Sequence, residues 1–264
     1  MILEINKIYH SNCLDLMARM PDEFIDLTVT SPPYDSLRKY NGYEFDFEPI
    51  ARELFRVTKK GGVVVWVVGD ATVNGSETGT SFRQALYFKE IGFNLHDTMI
   101  YRKASGACGS NYAYWQAFEY MFVFSKAKPN AINLLRDRRN VKTAGAVVNW
   151  KAGHRHNNGD QKATRMRKLF EYGVRLNVWN IDAPNGIERS ADHPAQFPES
   201  LAKDHILSWS NENDLIFDPF MGSGTTAKAA HQLNRRWIGS EISAEYVALA
   251  NKRLEPYLAQ ESLF

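Results

Sequence analysis

The hydrophobic pattern of the chain alternates between short apolar runs and segments in which apolar residues recur every three or four positions. The run 63–68 is continuous and rich in β-branched side chains, which is typical of a strand buried on both faces of a parallel sheet. Apolar runs predict strands at 5–10, 24–30, 63–68, 95–102, 118–124, 215–217 and 236–241. Helical spacing predicts helices at 13–20, 47–57, 80–91, 198–209, 227–233 and 243–254. This alternation of strands and helices predicts an α/β fold.

Local signals set the ends of several elements. The stretch Lys59-Lys60-Gly61-Gly62 supplies cations and glycine, so we expect it to end the helix that starts near Phe47. Pro198 and Glu199 suit the first turn of the next long helix, and Ser243 suits the cap of the last one. Ordered structure is expected to resume near 178–181.

Basic residues are concentrated between positions 126 and 175, where the periodicity fades. Thirteen Lys and Arg against three acids give this segment a charge of +10, and since the whole chain carries +2, the remainder carries −8. The asymmetry favours a polyanion partner, and a solvated basic loop is the alternative. The polar stretch 35–42 is interpreted as a mobile loop. Candidate phosphate or base contacts are Arg38, Lys39, Arg136, Arg138, Arg139, Lys151, His154, Arg155, His156, Arg165, Arg167 and Lys168.

Other sites and compartments are disfavoured by the same sequence. The only cysteines, Cys13 and Cys108, form no CxxC pair, so neither a disulfide framework nor a cysteine-built zinc site is expected. The pair His154 and His156 lacks a third ligand at metal spacing, and we expect no metal. Glu4 and Lys7 among the first apolar residues argue against a signal peptide, and no apolar run is long enough to span a bilayer, so we expect a soluble cytoplasmic protein.

The first motif with chemical content is Ser31-Pro32-Pro33-Tyr34, at the end of the strand 24–30. Two successive prolines fix φ and remove two backbone donors, so the chain must leave the sheet there. The Ser31 hydroxyl and a proline carbonyl can accept hydrogen bonds from an amine, and Tyr34 can stack on the ring that carries it. A proline turn beside a buried tyrosine is the alternative interpretation.

The second motif is the strand, glycine turn and helix between Phe217 and Glu241. The turn Gly222-Ser223-Gly224 lets the backbone approach a ligand, and an acid about twenty residues after the strand can accept hydrogen bonds from ribose hydroxyls. No lysine precedes Thr225, so a P-loop is excluded. Ala227 supplies only part of a dinucleotide fingerprint. The pattern indicates a nucleoside without a pyrophosphate, and a structural glycine turn is the alternative.

Taken together, these motifs resemble the amino-group DNA methyltransferases of the permuted beta arrangement. In that family the SPPY or DPPY motif comes first, the target-recognition region next and the FxGxG motif last, as Ser31–Tyr34, 126–175 and Phe220-Met221-Gly222-Ser223-Gly224 do here. The resemblance implies a Rossmann-like methyltransferase with a mostly parallel seven-stranded sheet. It divides the chain into a catalytic part at 1–125, a target-recognition region at 126–176 and a cofactor-binding part at 177–264.

The resemblance also implies the cofactor, S-adenosylmethionine, and the residues around it. Glu241 is expected to hold its ribose, and Ser11-Asn12 replaces the family's usual Gly-Asp before the first helix, where Asn12 is equally well an ordinary helix cap. The implied cofactor-binding residues are Asn12, Cys13, His193, Gln196, Phe197, Pro198, Asp218, Pro219, Phe220, Gly222, Gly224, Thr225, Thr226 and Glu241.

The implied reaction methylates an exocyclic amine of a base flipped out of duplex DNA, with Ser31, Pro32, Pro33 and Tyr34 as the catalytic motif. When Ser31 and the Pro32 carbonyl accept hydrogen bonds from both amine protons, the nitrogen lone pair is available to attack the methyl group. Ser rather than Asp at the first motif position favours cytosine N4 over adenine N6. The resemblance further implies a prokaryotic restriction-modification system with a cognate endonuclease, and a homodimer by analogy. The alternatives are an N6-adenine enzyme, a catalytically silent DNA-binding protein, and a methyltransferase acting on protein or RNA.

Overall fold

The computed structural model describes residues 3–33, 45–107, 114–140, 145, 147–150, 165–168, 170–181 and 198–261. These residues form two compact units, one of Met1–Asn133 and Asn177–Phe264 and one of Leu134–Leu176. None of the helices within the described ranges is both long enough and apolar enough to cross a membrane.

Six helices and fourteen strands are found in the described parts of the chain. The helices are α1 Cys13–Met17, α2 Phe47–Val57, α3 Thr80–Glu90, α4 Glu199–Trp209, α5 Thr225–Gln232 and α6 Ala244–Glu261. The strands are β1 Lys7–His10, β2 Ile25–Thr30, β3 Thr58–Val68, β4 Thr72–Val73, β5 Ser76–Glu77, β6 Asn94–Ala107, β7 Gln116–Ser125, β8 Arg138–Arg139, β9 Val147–Trp150, β10 Arg165–Lys168, β11 Tyr172–Gly173, β12 Val178–Asn180, β13 Leu215–Asp218 and β14 Arg236–Glu241.

The large unit is built on one eight-stranded sheet in the spatial order β1-β14-β13-β2-β3-β7-β6-β12. Strand β7 runs antiparallel to its neighbours β3 and β6, and every other adjacent pair is parallel. The two motif-bearing strands, β2 and β13, are therefore neighbours at the centre of the sheet, although about 190 residues separate them along the chain.

Helices cover both faces of this sheet. Helices α1, α2 and α3 contact one another on one face, and α4, α5 and α6 do so on the other. In β3, Val64, Trp66 and Val68 belong to the core under α1–α3, whereas Val63 and Val65 alternate to the opposite face and are also buried. The predicted two-sided burial of this strand is confirmed. So is the predicted α/β class with a mostly parallel sheet.

Several predicted boundaries were wrong. The sheet has eight strands in the described chain rather than seven, because the three residues of β12 add to the edge at β6. Helix α2 ends at Val57, as the spacing predicted, but residues 59–62 are not its terminus: they belong to β3, where Gly61 N donates to Lys126 O (2.5 Å) and the Gly62 carbonyl accepts from Lys126 N (3.0 Å). Helix α1 is shorter than predicted, and α5 begins two residues earlier. Helix α6 includes Pro256 and continues to Glu261, although an internal proline removes one hydrogen bond of the helix.

In its described residues the small unit contains two short antiparallel pairs, β8 with β11 and β9 with β10. Two of its arginines bind groups within the same unit. Arg138 Nε donates to the Val174 carbonyl (3.1 Å), and Arg175 Nε donates to the Asp137 carboxylate (2.7 Å). The bond from Arg175 also lowers the pKa of Asp137. Arg136 and Arg139 are exposed.

Candidate active site

Both motifs lie at the carboxyl edge of the sheet, on adjacent parallel strands. Residue Phe217 of β13 pairs with Thr28 of β2, so Ser31 and the turn after Asp218 leave the sheet side by side. From β13 the chain continues to β14 on one side, and from β2 it continues to β3 on the other. The ends of β2 and β13 therefore form the topological switch point of the sheet, where α/β folds bind their ligands.

A buried carboxylate joins the two motifs. Asp218 accepts from Thr30 Oγ1 (2.6 Å), from the backbone N–H of Phe220 (3.0 Å) and from Thr226 Oγ1 (2.7 Å). Thr30 immediately precedes Ser31, and Thr226 lies in the first turn of α5. With Asp218 only 1% exposed, these contacts fix the start of the proline turn relative to the glycine turn.

Glu241 holds the glycine turn from the neighbouring strand. Its carboxylate accepts from the backbone N–H of Gly222 (2.9 Å) and from that of Ser243 (2.9 Å). Each oxygen retains a lone pair, so the carboxylate can still accept from ligand hydroxyls. Gly224 has φ +80°, and a Cβ there would lie 3.2 Å from Ala250 Cβ, so a side chain would be strained by the backbone conformation and crowded by α6.

Residues at the end of β1 lie next to Glu241, because His10 pairs with Glu241. Ser11 N donates to the Glu241 carbonyl (3.1 Å), and the buried Ser11 Oγ has no hydrogen-bond partner within the described chain. Asn12 acts as the helix cap that its sequence allows, since its Oδ1 accepts from Leu14 N (2.9 Å). Burial raises the pKa of the Cys13 thiol to about 12, so this thiol is neutral.

Aromatic rings border the glycine turn on the α2 side of the sheet. Phe220 makes edge contacts with Phe45 (centroids 5.7 Å apart) and Trp66 (6.3 Å). Trp66 is in turn fixed by a hydrogen bond from Nε1 to Gln84 Oε1 (2.8 Å). The half-buried Phe220 therefore rests on a rigid aromatic wall.

The remaining predicted site residues are distributed as follows. Pro198 is buried and precedes α4 as its N-cap residue. Arg165, Arg167 and Lys168 form part of β10. Pro32 is buried, and Ser31 and Pro33 are half-buried. No group of three potential metal ligands occurs among the residues with described positions. Ten predicted residues lie outside the described ranges: Tyr34, Arg38, Lys39, Lys151, His154, Arg155, His156, His193, Gln196 and Phe197.

Three residues with a structural part in this site are not identifiable from the sequence. The local pattern marks Thr30 only as the end of a strand, Glu199 as the first residue of a helix, and Arg253 as part of the last helix. Glu199 is buried and binds Lys203 (2.7 Å) and Lys228 (2.6 Å), and Arg253 donates to the glycine turn. Single charged residues inside helical patterns carry no signal of a distant partner, so these contacts emerge only from the fold.

The environment of Asp218 predicts how the stability of the fold depends on pH. Burial raises its pKa to about 6, although hydrogen bonds from Thr30, Thr226 and Phe220 N oppose the shift. Since the folded-state pKa lies above the unfolded one, the contribution to stability is fully present below pH 4 and is lost as the pH rises through about 6. A protonated Asp218 can donate to Thr226 Oγ1, which has the Val29 carbonyl as its other acceptor (3.3 Å).

We therefore expect Asp218→Asn to flatten this dependence. The unfolding free energy of the variant relative to the native chain should rise by roughly 1–2 kcal/mol between pH 5 and pH 7.5. Urea denaturation at several pH values measures the difference, with Asp204→Asn on α4 as the control for loss of one carboxylate. An unchanged difference across this range would mean that Asp218 titrates normally.

The sequence as a whole matches a known protein family. The profile of the N6/N4 DNA methylase family matches residues 25–252, most of the chain. The chain belongs to this DNA methylase family. The methylase is 60% identical over 248 residues to the orphan methyltransferase M.BamHII of Bacillus amyloliquefaciens, covering 89% of this chain and 90% of that one.

More distant relatives also match over nearly the whole chain. The methylase is 28% identical to the type II methyltransferase M.BglII of Bacillus subtilis (93% of this chain, 68% of that one). It is 26% identical to the DNA adenine methyltransferase YhdJ of Escherichia coli (96% and 83%).

Solved structures agree on the fold. The cytosine-N4-specific PvuII DNA methyltransferase superposes with a TM-score of 0.68 at 23% identity, over 94% of this chain and 85% of that one. The Thermus thermophilus protein TTHA0409, in its complex with S-adenosylmethionine, superposes with a TM-score of 0.63 at 24% identity, over 95% of each chain. The predicted Rossmann-like methyltransferase fold is confirmed.

Proposed function

We propose that the methylase transfers a methyl group from S-adenosylmethionine to the exocyclic N4 amine of cytosine at a specific sequence in duplex DNA. The observation that carries the proposal is the Asp218 contact set, which ties the strand end before Ser31 to the first turn of α5 after the glycine turn. These contacts support the proposal because they fix the candidate amine-accepting turn beside the candidate nucleoside-binding turn at the carboxyl edge of the sheet.

The residues at this edge of the sheet suit S-adenosylmethionine. The glycine turn, the Glu241 carboxylate and the unpartnered Ser11 hydroxyl offer the acceptors and the close backbone approach that a nucleoside requires. We assign Gly222, Gly224, Phe220 and Glu241 to this ligand, with Thr225 beside them. S-adenosylmethionine, when bound, supplies an electrophilic methyl group.

The protein then orients the amine. We assign Ser31 Oγ and the Pro32 carbonyl as acceptors of its two N–H groups, with Tyr34 stacked on the flipped base. Alignment of the nitrogen with the methyl donor can contribute about 7–11 kcal/mol to the barrier reduction. No covalent bond to the base is needed, because the amine itself is the nucleophile.

The choice of cytosine rests on Ser31 and on the resemblance of its motif to N4-cytosine enzymes. Adenine N6 is the second candidate, since the relative YhdJ is described as an adenine methyltransferase. Ser31 can accept a hydrogen bond from the amine of either base. The choice between cytosine and adenine therefore depends on the size and hydrogen-bonding edge of the site that receives the flipped base.

The proposal also covers the order of the motifs along the chain and the partner proteins. The glycine-turn strand β13 follows the catalytic strand β2 in the chain yet lies beside it in the sheet, which supports the permuted motif order. The expected cognate endonuclease finds no support, and the name of the 60% identical relative favours an orphan enzyme. We propose that the methylase acts without an endonuclease partner; a homodimer stays a prediction.

The decisive experiment combines the purified protein with methyl-labelled S-adenosylmethionine and unmethylated duplex DNA, followed by digestion to nucleosides. We expect label in N4-methylcytosine. Label in N6-methyladenine would transfer the assignment to adenine, and absence of label from every DNA tested would overturn the enzymatic proposal. A parallel incubation with single-stranded DNA of the same sequence tests the duplex requirement.

The small unit is proposed as the DNA-contacting region. Arg136 and Arg139 are exposed, whereas Arg138 supports the Val174 backbone, so the first two are the informative positions. Arg136→Gln combined with Arg139→Gln should weaken DNA binding and reduce the slope of log K against log salt by about 1 for each phosphate that is no longer neutralised. Lys89→Gln, an exposed cation on α3, is the control. Equal salt dependence of both variants in fluorescence anisotropy would place the DNA-binding surface elsewhere.

A further inference from the structure

The glycine turn is held from two sides, and only one of them belongs to the predicted motif. On the β14 side, Glu241 accepts from Gly222 N. On the α6 side, the guanidinium of Arg253 donates to the Ser223 carbonyl (3.2 Å), to Ser223 Oγ (3.2 Å) and to Thr225 Oγ1 (3.0 Å). All three acceptors lie within or directly after the turn, so a single nitrogen of Arg253 contacts the middle residue of the turn and the residue that follows it.

We propose that Arg253 is a positioning residue that preorganises the glycine turn for cofactor binding. The inference rests on the proposed function, because it assumes that the turn binds S-adenosylmethionine. Arg253 acts through Ser223 and Thr225 and is not assigned any contact with the reacting atoms.

The surroundings explain how a guanidinium is stable there. The Arg253 side chain is 18% exposed, and its other terminal nitrogen lies 4.0 Å from the Glu199 carboxylate. Glu199 already binds Lys203 and Lys228 at hydrogen-bond distance. The guanidinium therefore has a nearby negative charge, but its contacts with the turn, at 3.0–3.2 Å, are closer than its contact with Glu199.

These bonds also set the direction of two hydroxyl groups. Ser223 Oγ and Thr225 Oγ1 both accept from Arg253, so their hydrogens must point to other acceptors. Gly224 between them has φ +80° and no Cβ to restrict its backbone. Without Arg253, the turn would sample other conformations before binding, and the cofactor would have to order it. Preorganisation raises affinity by removing this cost.

The geometry of the donor group favours arginine over lysine at this position. A guanidinium presents several N–H groups in a fixed plane, whereas an ammonium is a single mobile point of charge. Arg253→Lys should therefore retain part of the effect and Arg253→Gln very little. Hydrogen bonds to a charged donor contribute about 1.5–3 kcal/mol, which corresponds to roughly a tenfold to a hundredfold change in Kd.

The test measures S-adenosylmethionine binding by calorimetry and methyl transfer to duplex DNA for Arg253→Gln, Arg253→Lys and the control Lys252→Gln. Lys252 is the exposed neighbour on the same helix. We expect Kd to rise about tenfold to a hundredfold for Arg253→Gln, less for Arg253→Lys and not at all for Lys252→Gln. At saturating cofactor, kcat of both Arg253 variants should stay within about threefold of the native value, since the reacting groups are unchanged.

Two results would overturn the inference. One is an unchanged Kd in folded Arg253→Gln; the other is a fall in kcat with Kd constant, the pattern of a merely structural role. Failure of the native protein to bind S-adenosylmethionine would instead overturn the proposed function. If Arg253→Gln does not fold, Ser223→Ala combined with Thr225→Val removes the side-chain acceptors and leaves the arginine in place. A normal Kd in that double variant would then count against the inference.

Discussion

Ser31→Ala is expected to lower methyl-transfer turnover about a hundredfold to a thousandfold, the loss typical of a single preorganised polar group at a reacting centre. The substitution removes the hydroxyl proposed to accept an amine N–H and leaves the Pro32 carbonyl in place. Ser31 lies directly after Thr30, whose hydroxyl is bound to buried Asp218, so the backbone of the proline turn should be retained. Single-turnover assays at saturating cofactor and DNA measure the effect on the chemical step.

Cofactor binding separates this prediction from a general loss of structure. The Ser31→Ala protein should bind S-adenosylmethionine in calorimetry with an affinity within about twofold of the native protein, because Glu241 and the glycine turn are untouched. Ser31→Asp is the matched variant: a carboxylate also accepts from N–H, and it should recover part of the turnover. A large loss of cofactor affinity in Ser31→Ala, or equal turnover of the Ala and Asp variants, would contradict the proposed role.

Glu241→Ala is expected to weaken S-adenosylmethionine binding by at least about a hundredfold. Loss of this carboxylate removes the proposed partner of the ribose and also leaves the N–H groups of Gly222 and Ser243 without their acceptor. A buried donor without a partner costs about 1–3 kcal/mol, and the loss of charge-assisted bonds to the ligand adds to it. Calorimetry and the KM for the cofactor both report the change.

Two further variants show whether the weaker cofactor binding of Glu241→Ala comes from loss of the carboxylate. Glu241→Gln keeps one acceptor but presents an amide N–H where the other oxygen was, so it can satisfy only one of the two backbone amides and should fall between Ala and the native residue. Glu245→Gln, an exposed acid on α6, is the control for charge and should bind normally. If DNA affinity in Glu241→Ala falls as far as cofactor affinity, the variant has lost its fold, and the assignment of Glu241 to the cofactor is not supported.

The order of elements was predictable because each carries its own local signal. The β-branched run at 63–68 and the spacing of Phe47, Ile50, Leu54 and Val57 correspond to β3 and α2. Short or paired segments were not predictable in the same way. β12 has three residues, and residues 59–62 join β3 through bonds to Lys126, which is far away in sequence. Hydrogen bonding to a distant partner overrides the local preference of Lys and Gly for a helix end.

By itself the sequence determined where the two candidate motifs lie, because proline, glycine and an acid at a strand end restrict the backbone in ways that local spacing reveals. It also determined the basic segment between them. Only the tertiary structure decided that β2 and β13 are neighbours, that Asp218 binds Thr30 and Thr226 across the two motifs, and that Arg253 holds the glycine turn. These contacts join residues far apart along the chain, and they depend on strand order and register, which no local pattern encodes.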